Sequence, residues 1–92
     1  MNLYPWKEIG NPEWNVAEDG VKWSQNCDFD GHDIGPTLNL VDGGLCGRKC
    51  IDTKGCNAFL SKGGSCFLKN IPQGLRKKHF IGGVCGIVPW KF

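Results

Sequence analysis

Six cysteines stand at positions 27, 46, 50, 56, 66 and 85. An even set of this density in a short chain reads as a disulfide framework, formed in an oxidising compartment. Zinc is the competing reading, but ribbons and fingers need Cys-x2-Cys pairs, and none of the gaps here supplies one. Staples matter because 92 residues make a single small domain with a modest core. The 14 glycines add many turns to that core. Six cysteines allow fifteen connectivities, and their spacing does not choose among them.

The pattern along the chain predicts short strands and one helix. Residues 1 to 20 contain Pro5, Pro12, no cysteine and three spaced aromatics, Tyr4, Trp6 and Trp14, which marks an N-terminal arm or linker ahead of a domain over 21–92. Strands are expected at 21–26, 37–41, 56–60, 65–68 and 84–88, with Ser61 to Gly64 as a hairpin turn. Asp42 is placed to cap a helix near residues 43–53, and Gly55 follows it where glycine favours a helix end. On that helix Cys46 and Cys50 lie one turn apart on one face, suited to stapling it to a sheet at two heights. The fold class is α+β.

Several of these features together resemble the PAN/apple domain. The residues that carry the likeness are Trp23, Asn26-Cys27-Asp28-Phe29 with Gly31 and Asp33-Ile34, then Cys46, Cys50 and Cys56, Ala58-Phe59, and Gly64 with Cys66-Phe67-Leu68-Lys69, closing on Val84-Cys85-Gly86. The match covers about residues 21 to 88, and its spelling is closer to extracellular modules of fungi, oomycetes and small invertebrates than to those of blood proteases. The resemblance implies a small disulfide-stapled domain: a curved antiparallel sheet of about five strands crossed by the helix. It also implies nested pairing of Cys27 with Cys85, Cys46 with Cys66, and Cys50 with Cys56.

As a function, the resemblance implies an extracellular binding module for carbohydrate or for protein, and the fold alone does not select the ligand. For a glycan the candidate stacking residues are Trp6, Trp14 and Trp90, which lie in the terminal segments where a core role is least assured. Charge supplies a variant. Residues 1–52 hold nine acidic and four basic side chains, whereas residues 53–92 hold seven basic and no acidic ones. Arg76, Lys77, Lys78 and His79, with Lys69, are therefore candidates for sulfate or carboxylate groups of an anionic glycan. The alternative is a protein–protein module for adhesion, inhibition or an effector-like role, without sugar binding, anchored by exposed aromatic and Arg side chains.

Other classes fit less well. Nucleic acid is not expected as a partner of a disulfide-built extracellular domain, and no run approaches the roughly 20 apolar residues of a membrane span. The N-terminus has no continuous apolar run, so a secreted location means that the signal peptide is not within this chain. No cofactor, metal or catalytic residue is expected: no serine has a nucleophile setting, and His32 and His79 stand far apart. The acid-rich Asp28 to Asp33 stretch departs from the calcium-loop spacing and lacks a second imidazole for zinc. It is read as a polar turn fixed by Cys27. Nothing in the chain sets an oligomeric state.

Overall fold

The computed structural model describes residues 14–92. Six antiparallel strands form one sheet: β1 (Asn15–Val16), β2 (Lys22–Asp28), β3 (Leu38–Asn39), β4 (Ala58–Lys62), β5 (Ser65–Lys69) and β6 (Lys78–Ile87), in the order β1-β2-β6-β4-β5-β3. Among the described residues one α-helix, α1 (Gly43–Asp52), packs on β4 and β5, and a short 3-10 turn, Pro89–Lys91, ends the chain. The disulfide-stapled α+β class holds, with six strands in place of about five. The extra strand is β1, which pairs Asn15 with Trp23 and Val16 with Lys22, so the sheet takes in residues of the segment read as an arm.

Local chemistry sets the elements. The Asp42 carboxylate accepts a hydrogen bond from the Gly44 amide at 2.7 Å, which satisfies one of the unpaired donors of the first helical turn. At the other end the Lys91 ammonium donates to the carbonyls of Cys50, Ile51 and Thr53 at 2.8, 3.0 and 2.8 Å. A cation suits the negative end of the helix dipole, and this one also ties the chain terminus down. Gly63 and Gly64, both at positive φ, turn β4 into β5.

Three disulfides join these elements: Cys27 to Cys85, Cys46 to Cys66, and Cys50 to Cys56, with Cα–Cα distances of 5.5, 5.6 and 5.2 Å. The first links β2 to β6, the second links α1 to β5, and the third ties α1 to the approach of β4. In the chain-entropy model the loop of 58 residues contributes about 4 kcal/mol and the loop of 6 about 2 kcal/mol.

Successive side chains on a strand face opposite sides, so the sheet carries a core on each face. On the helix face Phe59 packs with Val21, Leu68, Val88 and the half-cystines 46, 50, 56 and 66. Its ring lies between Gly47 of α1 and Gly86 of β6. A Cβ on Gly47 would stand 3.3 Å from the ring, and a Cβ on Gly86 would overlap it. On the other face Trp14, Phe29, Ala58, Ile71 and the Cys27–Cys85 bridge form a second cluster. Among the described residues no helix covers this side. It is walled by irregular chain, and the groove described below opens there.

Strand β6 is longer than the closing strand expected at 84–88, because it begins at Lys78 within the basic segment. Between Gln25 and Cys27 the single residue Asn26 stands opposite four, Phe80 to Gly83. The Gly82 amide donates to the Asn26 side-chain oxygen at 3.1 Å, which closes this bulge.

Candidate functional site

The acid-rich turn is organised by two lysines. Lys69 is only 3 % exposed. Its ammonium donates to the Gly31 carbonyl at 2.8 Å and to the Asp33 carboxylate, and it lies 3.7 Å from Asp28 Oδ1. Backbone bonds reinforce the clasp: Ile34 donates to the Leu68 carbonyl at 2.8 Å, and Asn70 to the His32 carbonyl at 3.0 Å. Lys78 donates to Asp30 at 3.0 Å. This bond, with the charge behind it, holds the Asp30 carboxyl below its ordinary pKa. The expectation of a polar turn after the first long strand therefore acquires its physical cause. An ammonium occupies the position among the carboxylates that a metal ion would need, and among the described residues no cluster has a metal-binding arrangement.

Beside this clasp lies a groove of about 460 Å³. Its floor is the second core cluster, where the Trp14 and Phe29 rings stack at 6.2 Å between centroids with Ile71 alongside. One wall is the segment Pro72 to Lys77, and the other is the chain end, with Ile87, Pro89 and Phe92. Buried Asn57 pins the first wall. Its amide donates to the Ile71 carbonyl at 3.0 Å, and its oxygen accepts from the Ile71 amide at 2.8 Å. The Asn57 carbonyl also accepts from Val88 at 2.8 Å, so the same residue registers the second wall. Lys91, anchored on the helix end, holds the turn that presents Phe92.

The groove brings together three of the side chains singled out from the sequence: Trp14, Arg76 and Lys77. The Lys77 ammonium lies over the Trp14 ring at 5.5 Å from its centroid, within cation–π range. Trp14 itself is buried, so it offers a floor and not a free stacking platform. The remaining candidates are elsewhere. Trp90, half exposed, packs its ring on Gly20 outside the groove. Lys78 is held by Asp30, and His79 is exposed on β6 opposite Cys27. Trp6 lies outside the described residues. Lys69 leaves the set of ligand candidates: it is internal, and its ammonium is taken up by the turn.

Sequence reasoning missed Phe29, Ile71, Pro72 and Phe92. The Pro72 to Gly74 turn signal and the terminal aromatic were visible, but nothing in the sequence placed them side by side. A second, more apolar slot of about 330 Å³ opens on the helix face between Trp23, Val21 and the glycines of α1. The chain matches no protein-family model, no curated protein and no solved structure.

Proposed function

We propose that this domain is an extracellular carbohydrate-binding module and that the groove beside Trp14 holds the sugar. The observation that carries the reading is a groove in which the half-exposed Phe92 ring, Pro72 and the Trp14–Phe29 floor meet polar and charged side chains on one rim. Sugars present apolar C–H faces to rings and hydroxyl groups to polar side chains, and ligand sites are commonly apolar clefts with a few convergent polar groups. The resemblance to PAN/apple domains supports the same class, and three disulfides suit an oxidising compartment. Among the described residues no helix is long and apolar enough to cross a membrane.

Titration with a panel of soluble oligosaccharides tests this reading. Binding is expected to a subset of them, and Phe92→Ala is expected to weaken it about tenfold, equivalent to about 1.4 kcal/mol of contact with the ring. Unchanged affinity in that variant would remove the groove from the site. A protein–protein role is the second reading, favoured by Val41 and Ile81, which are 89 % and 74 % exposed. It predicts no sugar binding and loss of partner capture when Ile81 is replaced by Asp.

A further inference from the structure

We infer that the ligand of this groove is an anionic sugar whose carboxylate or sulfate is received by Arg76; this rests on the carbohydrate reading above. The starting observation is how the positive charges around the groove and its walls are used. Lys69 is enclosed by Asp33, Asp28 and the Gly31 carbonyl, and Lys78 is paired with Asp30. Lys91 is bonded to three carbonyls at the end of α1. Lys77 is drawn over the Trp14 ring. Arg76 remains. It is exposed on the groove rim, and among the described residues it has no hydrogen-bond or ion-pair partner.

Among the described residues no acidic side chain lines the groove, and residues 53–92, which supply most of its walls, include no Asp or Glu at all. The Arg76 guanidinium therefore stands at the rim of a partly apolar space, where its field is screened less than on open surface. A neutral sugar would make no use of that field. A sugar with an oxyanion compensates it.

The residue type narrows the chemistry further. Guanidinium is a planar fork that binds carboxylate or sulfate through two parallel N–H···O bonds, whereas an ammonium acts as a point charge. The ring faces of Phe92 and Pro72 flank the same space. An acidic pyranose could lie with its C–H face against these side chains and its oxyanion turned toward the rim. Lys77, already oriented by Trp14, adds a second positive charge without being the primary acceptor of the ligand.

Titration of the oxidised domain with three oligosaccharides of equal length tests this: one neutral, one built of uronic acid, and one sulfated. At least one anionic form is expected to bind about tenfold or more tighter than the neutral form. Arg76→Gln is expected to abolish that preference, with the affinity for the anionic form falling about 10- to 100-fold, and Arg76→Lys to recover only part of it. Uronate alone would identify a carboxylate, the sulfated form alone a sulfate, and both together recognition of the charge. Equal binding of the neutral form, or an unaffected Arg76→Gln variant, would overturn this inference and leave the carbohydrate reading standing. Absence of binding to all three and to the wider panel would remove both. Arg76 is exposed, so an unchanged circular dichroism spectrum is expected and separates lost binding from lost folding.

Discussion

Replacing Lys69 by Met should expose how much of this fold depends on one buried ammonium. Met keeps an unbranched apolar side chain, one atom shorter than that of Lys, and removes the charge. The variant loses a charged hydrogen bond to the Gly31 carbonyl, worth about 1.5–3 kcal/mol. It also leaves Asp28 Oδ1, which is buried and has no hydrogen bond of its own, without its nearby cation. Removing one member of a fully buried pair costs about 3–5 kcal/mol, and the 14 % exposure of the Asp28 side chain lowers that figure. The Asp33 bond adds little, since that side chain is 51 % exposed. A net loss of about 3 kcal/mol follows, and in a domain of this size it lowers the melting temperature by on the order of 15 °C. The assay is thermal unfolding by circular dichroism at neutral pH with the disulfides intact. Adding Asp28→Asn to Lys69→Met should return about 5 °C, because the orphaned charge is then gone. A shift below about 3 °C for the single variant, or no recovery in the double, would refute the idea that Lys69 holds the turn by neutralising it.

Two smaller experiments address the packing and the surface charge. Gly86→Ala should prevent folding or lower stability by several kcal/mol, because its Cβ would overlap the Phe59 ring, which is enclosed and has nowhere to move. Gly47→Ala, with its nearest contact at 3.3 Å, should cost less than about 1.5 kcal/mol, since its higher helix propensity offsets part of the crowding; equal losses in chemical denaturation would contradict this account. Lys78→Ala should raise the Asp30 pKa toward the ordinary carboxylate value, read by NMR titration of the side-chain carboxyl. Because Lys78 depresses that pKa, any stability the pair contributes is present above the unfolded value near 3.8 and disappears as pH falls through the lower folded value. An Asp30 titration unmoved by the substitution would show that the pair does not form in solution.

What was legible in the sequence is what local rules govern. The Asp42 cap and the shared face of Cys46 and Cys50 act within a few residues and stand as expected. The turn expected at Ser61 to Gly64 narrows to Gly63-Gly64, because Ser61 and Lys62 pair within the hairpin. Of the two helix cysteines only Cys46 bonds a strand, since Cys56 lies just ahead of β4. The pairing of the cysteines was accessible through resemblance alone. Lys69 was misplaced because its role depends on closure of a turn 36 residues away, and no local pattern distinguishes a lysine that meets two carboxylates in space from one that meets water. The early start of β6 was missed for a related reason. Its first residues pair with Asp28 and Cys27 at an exposed edge of the core, so they show no apolar alternation. Only part of the candidate groove was readable, since its lining comes from four separate segments: Trp14, Phe29, 71–77 and 87–92.

The two faces of the sheet are built by different means, and the difference bears on function. On the helix face two disulfides and the Phe59 ring between two glycines hold the helix directly against the sheet and its flanking chain. On the groove face the chain is irregular, and irregular chain would ordinarily make a poor binding wall because it must be ordered at a cost when a ligand arrives. Here the ordering is already supplied. Asn57 bonds both the 71 and 88 segments, Lys69 fixes the turn that carries Phe29, and Lys91 fixes the chain end that carries Phe92. Each wall is thus held by a buried or half-buried polar anchor beneath it, while Arg76 and the Phe92 ring remain at the surface. A site supported in this way separates the residues that shape it from the residues that touch a ligand. Loss of an anchor should therefore appear first in stability, and loss of Arg76 in affinity alone.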